Sequence, residues 1–151
     1  NIALALQARR GWTRPLSRAE QNTLADRYIK ALYIRTTDRE KPIRLLSGGN
    51  QQKAILARWL ATNPKFLILD EPTRGIDVGA HAEIIKLIEQ LCAEGMSLIV
   101  ISSELEELVA YSSRVIVLRD RQHIAELTGE RITAAGIVEA IAAAEHKMEE
   151  A

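Results

Sequence analysis

Apolar and polar positions in the first third of the chain recur with helical spacing. Ser17-x-x-Glu20 has the pattern of a capping box, in which two side chains close the start of a helix. The apolar face of this helix comprises Leu24, Tyr28, Ala31 and Leu32. The polar stretch 35–44 contains a proline and predicts a loop. A second helix is predicted from about Asn50 to Ala61, where Asn63-Pro64 follows and ends it.

The pattern changes to continuous apolar runs after residue 65. The run Phe66–Leu69 is typical of a strand buried on both faces, and Leu98–Ile101 predicts another buried strand. Arg114–Leu118 predicts a third apolar strand. A helix from about Gly79 to Ala93 separates the first two runs. Its apolar stripe comprises Ile84, Leu87, Ile88 and Leu91. The order strand, helix, strand, helix, strand predicts an α/β fold with a parallel sheet.

Shorter elements are predicted in the last third of the chain. Ser103-x-x-Glu106 predicts the cap of a short helix over 104–111. A polar turn at 119–122 follows the third strand, and His123–Leu127 is predicted to pair back as a hairpin. Thr133 begins a final, alanine-rich helix.

Composition and charge narrow the class of protein. The 151 residues are 47% hydrophobic and 26% charged, which is ordinary for a globular domain. A net charge of zero argues against a nucleic-acid or anionic-membrane binder. Cys92 is predicted to be a buried structural thiol, and His81, His123 and His146 are predicted surface residues. Without a disulfide framework or a signal peptide, the cytoplasm is the expected compartment.

Ser47-Gly48-Gly49 precedes the second predicted helix. Two glycines let backbone N–H groups approach a ligand closely, and a helix N-terminus favours an anion. The serine adds a hydroxyl donor. A plain helix cap with a glycine-rich turn would give the same three residues, so this segment alone leaves both interpretations open.

Two carboxylates, Asp70 and Glu71, stand at the C-terminal end of the first apolar run. Ligands of open α/β sheets bind beyond the carboxyl ends of strands. An acidic residue there can hold a hydrated Mg²⁺, and its neighbour can orient or deprotonate a water. Two exposed carboxylates without a function remain the alternative for this segment alone.

Together, Leu46–Gln52 and Leu67–Pro72 resemble the signature motif and the Walker B strand of the ATP-binding cassette family. Thr73–Asp77 resembles the D-loop of that family. Ile101–Glu104 aligns with its switch-histidine segment, with serine at position 103 where most members have histidine. Within the family, Asn50–Lys53 and Thr73–Ala80 are similar to the second cassette of duplicated bacterial monosaccharide importer ATPases.

The resemblance implies a P-loop NTPase-like, partial ATP-binding cassette fold. Residues 1–46 would form part of a helical subdomain, and 47–129 would carry the signature, Walker B strand, D-loop and switch of a parallel-sheet RecA-like lobe. Residues 130–151 would form a C-terminal helix. No Gly-Lys pair occurs in the sequence, so the phosphate-binding loop Gly-x-x-x-x-Gly-Lys-Ser/Thr is absent from these residues. The first residue is Asn1, which suggests that the numbering begins inside a longer chain.

The resemblance also implies ATP and Mg²⁺ as cofactors, bound between two cassettes arranged head to tail. Asp70 would assist Mg²⁺, and Glu71 would act as general base or position the attacking water. Ser103 would occupy the place of the histidine that contacts the γ-phosphate, and the exchange implies a weaker site. The residues expected to contact the nucleotide or cross the interface are Ser47, Gly48, Gly49, Asn50 and Asp77.

The expected partners follow from the same resemblance. They are the first cassette of the same full-length chain or a second copy, transmembrane permease subunits and, indirectly, a periplasmic sugar-binding protein, with no nucleic acid. The location would be the cytoplasmic face of the bacterial inner membrane. Two alternatives are a non-catalytic module that completes a partner's ATP site, and a soluble cassette ATPase of DNA repair or translation. Asn50 and Gly75-Ile76-Asp77 favour the importer. The isolated chain is expected to be inactive.

Overall fold

The computed structural model describes residues 1–11 and 13–149, with side chains described up to residue 143. The chain divides into a first unit, Asn1–Ile101, and a second unit that begins at Ser102. The first unit contains α1 (Ala3–Arg10), α2 (Arg18–Ala31), a 3-10 turn (Ile43–Leu45), α3 (Gly48–Leu60), β1 (Phe66–Asp70), α4 (Val78–Ala93) and β2 (Ser97–Ile101). The second contains α5 (Leu105–Tyr111), β3 (Arg114–Arg119), β4 (Gln122–Thr128), a 3-10 turn (Gly129–Arg131) and α6 (Ala134–Glu149).

The predicted capping box at the start of α2 is confirmed. Glu20 N–H donates to the Ser17 hydroxyl at 3.2 Å, and Ser17 N–H donates to a Glu20 carboxylate oxygen at 2.7 Å. Arg10 of α1 also donates to Glu20 at 2.7 Å. The hydrogen bond from Arg10, with those from Ser17, lowers the pKa of Glu20 to about 2. The same glutamate therefore caps α2 and connects it to α1, a helix that the sequence pattern did not predict.

The first unit contains a parallel pair of strands joined by α4. β1 and β2 pair in register from Phe66 opposite Ser97 to Asp70 opposite Ile101. All four residues of the predicted α4 stripe are buried. On one face of the strands, Leu67, Leu69 and Leu98 pack against a core built from the helices of this unit. The α/β fold with a parallel sheet is therefore confirmed.

The opposite face of β1 and β2 is apolar and open. Its residues, between 49% and 56% exposed, are Phe66, Ile68, Ile99 and Ile101. The prediction that these strands are buried on both faces is therefore wrong for the described residues. The physical reason is that α3 and α4 contribute to the core on one face only.

β3 and β4 form the predicted hairpin. They are antiparallel, and the two-residue turn Asp120–Arg121 has φ values of 48° and 64°, as the turns that match strand twist require. Within the part of the chain that the structure describes, β3 pairs with β4 and not with the parallel pair, so the expectation that it extends that sheet is wrong. The buried core of this unit comprises Val115, Val117, Leu127 and Ile137.

Several smaller expectations meet different outcomes. Cys92 is exposed, so its prediction as a buried thiol is wrong. His123 is exposed and His81 is half-buried, while the His146 side chain and residues 150–151 lie outside the described residues. The final helix begins as expected, with the Thr133 hydroxyl accepting from Gly136 N–H at 2.9 Å. Among the described residues, no helix is both long and apolar enough to cross a membrane.

Candidate functional site

The glycine pair of the predicted signature lies inside α3, which begins at Gly48 and not at Asn50. Ser47 precedes the helix in an extended conformation, and its carbonyl accepts from Gln51 N–H at 2.9 Å. Ser47 and Gly48 are exposed. Because the first N–H groups of a helix have no intrahelical acceptor, this turn presents donors to solvent beside a serine hydroxyl.

The Ser47 hydroxyl does not cap α3. It accepts instead from the Asn50 amide nitrogen at 2.8 Å. The Asn50 amide oxygen accepts from Arg35 N–H at 2.7 Å. One half-buried side chain thus connects the signature serine to the loop that follows α2.

The signature turn adjoins the segment that resembles the D-loop. A Cβ added to Gly49 would lie 2.3 Å from the Ala80 Cβ, so Gly49 permits a close approach of α3 to α4. A Cβ on Gly48 would make an ordinary contact of 3.5 Å with Ile76. Asp77 caps α4, since its carboxylate accepts from Ala80 N–H at 3.0 Å. Gly49 and Asp77 therefore have structural roles in addition to any contact with a nucleotide.

A buried lysine holds these two helices together. Lys53 of α3 is 4% exposed and donates to Glu83 of α4 at 2.6 Å. Arg35 donates to the other Glu83 oxygen at 3.0 Å. The sequence pattern did not predict this ion pair, because Lys53 and Glu83 lie thirty residues apart along the chain.

Asp70 and Glu71 lie at the C-terminal end of β1, as predicted. Glu71 N–H donates to Ile101 O at 2.8 Å and so continues the pairing with β2 by one residue. Glu71 has a φ of 47°, in the left-handed region that side chains other than glycine rarely adopt. Such backbone strain clusters at active sites and ligand clamps. Asp70 is exposed beside it.

The carboxylates fit a magnesium ion that is held together with a nucleotide. Among the described residues, no group of three or more histidine, cysteine, aspartate or glutamate side chains is arranged to hold a metal. Mg²⁺ usually binds through one or two carboxylates, substrate phosphates and water, and not through an all-protein cage. The exposed carboxylate of Asp70 could serve as one such ligand.

Ser103 is exposed and belongs to the second unit. Its predicted role as a helix cap is wrong: Glu104 is the N-cap of α5, without a side-chain cap bond. The neighbouring Ser102 hydroxyl accepts from Glu104 N–H at 3.0 Å and donates to Glu107 at 2.9 Å. Glu107 is fully buried. It accepts from Ser102 in the segment that resembles the switch, and the sequence pattern did not predict its burial because a glutamate on a short helix is usually solvated.

Known proteins share this combination of fold and motifs. Residues 4–74 match the family model described as ABC transporter. The chain superposes with a TM-score of 0.66 and 25% identity on a dimeric ATP-binding cassette in a post-hydrolysis state bound to ADP and phosphate, covering 78% of this chain and 50% of that one. The chain therefore belongs to the ATP-binding cassette family.

Sequence relatives within the family are more specific. The chain is 65% identical over 143 residues to the galactofuranose transporter ATP-binding protein of Escherichia coli O157:H7, covering 95% of this chain and 29% of that protein. It is 50% identical over 143 residues to the fructose import ATP-binding protein of Bifidobacterium longum, covering 94% and 28%. The resemblance inferred from the motifs is confirmed. The chain spans less than a third of the length of these relatives.

Proposed function

We propose that this chain is part of an ATPase that powers monosaccharide uptake. In this role, the turn at Ser47–Gly49 contacts the γ-phosphate of ATP held by an opposite cassette, while Asp70 and Glu71 serve the ATP site of its own cassette. The observation that carries the proposal is the start of α3, where Ser47 and Gly48 are exposed and the Ser47 hydroxyl does not cap the helix. These groups suit a phosphate, which gains from both donors and the helix dipole.

The roles of the carboxylates follow from their positions. Phosphoryl transfer depends mostly on positioning and charge neutralisation, and Mg²⁺ supplies part of that neutralisation when it is bound with ATP. Asp70 would hold the ion at the end of β1. The backbone N–H of Glu71 donates to Ile101 O at 2.8 Å and so fixes the position of this residue. Its carboxylate would orient or deprotonate the attacking water. Ser103 is shorter than histidine and uncharged, so we propose that this site is the slower of two.

The proposed partners are those of an importer. They are an opposite cassette, which is either the first cassette of the same full-length chain or a second copy, and transmembrane permease subunits at the cytoplasmic face of the bacterial inner membrane. The names of the relatives, which are transporter and import ATP-binding proteins, support this assignment. A periplasmic sugar-binding protein would act through the permease.

The proposal is tested by Ser47→Arg in the intact transporter. A bulky cation at the start of α3 would occupy the space of the facing phosphate, so transport and most ATP hydrolysis should be lost. Thr37→Arg, which places the same side chain on an exposed loop residue, is the matched control and should leave both rates unchanged. Unchanged turnover in Ser47→Arg would contradict the proposal.

A second test uses the chain alone. Its residues include no phosphate-binding loop, whose N–H groups and lysine supply most of the affinity for ATP phosphates. Titration calorimetry with millimolar Mg-ATP should therefore give no saturable heat, and no hydrolysis should be measurable. A micromolar dissociation constant would show that the chain forms a nucleotide site by itself.

A further inference from the structure

The hydrogen bonds of Asn50 fix which way its amide points. Arg35 N–H is a backbone group that can only donate, so the atom that faces it at 2.7 Å must be the amide oxygen of Asn50. The amide nitrogen is then the atom 2.8 Å from the Ser47 hydroxyl, and it can only donate. The orientation of Asn50 is therefore set by the chemistry of Arg35 N–H and does not depend on a choice between alternative flips.

This orientation dictates what the Ser47 hydroxyl can do. Its oxygen is occupied as an acceptor on the side of Asn50, so its one hydrogen cannot point there. The hydroxyl makes no cap bond to α3, and Ser47 is exposed. The hydrogen is thus available for an acceptor outside the chain, such as a phosphate oxygen.

We propose that Asn50 is a positioning residue that holds the Ser47 hydroxyl as a hydrogen-bond donor toward the γ-phosphate of the facing cassette. This inference rests on the proposed function of the signature turn. It gives Asn50 an indirect role, acting through Ser47, in place of the direct nucleotide contact expected from the sequence. A donor that is oriented before the nucleotide arrives needs no reorganisation when charge develops on the phosphate.

Asn50→Asp is the sharpest variant because it preserves size. Aspartate still offers an oxygen to Arg35 N–H but presents a second oxygen to Ser47. The serine must then donate its hydrogen to that oxygen and can no longer donate to phosphate. The thermal midpoint should change little because Arg35 N–H keeps its acceptor. A misplaced donor of this kind costs about 10²-fold in rate, and kcat/KM for ATP in the intact transporter should fall by that order.

A double-mutant cycle with Ser47→Ala separates this role from others. Ser47→Ala should itself lower kcat/KM, and Asn50→Asp should then reduce it by less than about threefold more, since coupled residues are not additive. If Asn50→Asp is as damaging without the hydroxyl as with it, the aspartate acts through its charge, through direct contact or through misfolding, and the inference is overturned.

Asn50→Ala provides an independent check should the aspartate variant fail to fold. It leaves the Ser47 hydroxyl in place but free to rotate, so a smaller loss of about 3–10-fold is expected, matching one ordinary hydrogen bond. That loss should also vanish in the Ser47→Ala background, and its persistence there would overturn the inference. Full activity of Ser47→Ala alone would instead refute the proposed function of the signature turn.

Discussion

Lys53 on α3 donates a hydrogen bond to Glu83 on α4 across 2.6 Å, and the lysine side chain is almost completely buried. This hydrogen bond from Lys53 is the main reason that the pKa of Glu83 lies below its usual value. The charges of Lys53 and Arg35 lower the pKa further. α3 starts at the signature turn and α4 is capped by Asp77. The ion pair therefore fixes the two helix starts on which the proposed interface depends.

Substitution of Glu83 and substitution of Lys53 should change the free energy of unfolding by different amounts. Glu83→Ala leaves a buried ammonium group without its carboxylate and should cost about 1–3 kcal/mol. Lys53→Met keeps an apolar stem of similar length and leaves Glu83, whose side chain is 41% exposed, with Arg35. It should cost less than Glu83→Ala in urea denaturation. Equal costs would mean that the buried charge is not the source of the effect.

The same pair predicts a dependence of stability on pH. The pKa of Glu83 is lower in the folded protein than in the unfolded chain, where a glutamate has a pKa of about 4.3. The stabilisation is therefore complete above that value and is lost as the pH falls through the folded pKa. Unfolding free energies of wild type and Glu83→Gln should differ most near neutral pH and converge in acid. A difference that is constant from pH 7 to pH 3 would contradict this.

Gly49→Ala tests the close approach of α3 to α4. The added methyl would lie 2.3 Å from the Ala80 Cβ, so the helices must separate and the protein should lose about 1–3 kcal/mol of stability. Gly48→Ala is the control, because its methyl meets Ile76 at an ordinary 3.5 Å. Ala80→Gly should recover part of the loss in Gly49→Ala. Equal stability of the two alanine variants would contradict the packing argument.

The apolar face of β1 and β2 should cause self-association of the chain when it is alone in solution. Four half-exposed large apolar side chains lie together on this face. Large contiguous apolar patches on a protein surface usually mark sites of contact with another protein. Ile68→Thr with Ile99→Thr should reduce the apparent mass in light scattering. Val78→Thr, which changes a residue that is 87% exposed outside this face, should not. A chain that stays monomeric at high concentration would contradict the predicted self-association through this face.

Glu71→Gln tests the proposed inequality of the two ATP sites in the intact protein. We proposed, from the resemblance to the family, that Ser103 replaces a histidine that assists water attack at the Glu71 site. The loss of one such electrostatic partner is typically worth about 10²–10³ in rate. Glu71→Gln should therefore change steady-state hydrolysis little, while the matching change in the opposite cassette should remove nearly all of it. Equal losses, or the reverse order, would show that Ser103 does not mark the slower site.

The elements predicted correctly are those whose evidence is local in the sequence. Ser17 and Glu20 are three residues apart and satisfy each other, so the start of α2 needs no distant information. The stripe of α4 is equally local because helical spacing alone assigns its buried face. The order of the motifs around Ser47 and Asp70 was also sufficient to identify the family.

What the sequence could not supply depends on partners distant along the chain. The apolar run at 66–69 indicates that both faces of β1 suit apolar neighbours. It does not say which residues pack against either face. The ion pair of Lys53 was not predicted because its acceptor, Glu83, lies thirty residues further on. The dual use of Asn50 depended likewise on Arg35, fifteen residues before it.

The positive φ of 47° at Glu71 limits which genetic changes this position tolerates. Single base changes convert glutamate codons into codons for glycine or valine, among others. Glycine relieves the backbone, a gain of about 1–2 kcal/mol for a residue in this region, and removes the carboxylate. Valine removes the carboxylate and adds a branched side chain that this conformation excludes. Two neighbouring codons with the same chemical loss should therefore yield one well-folded and one poorly folded protein.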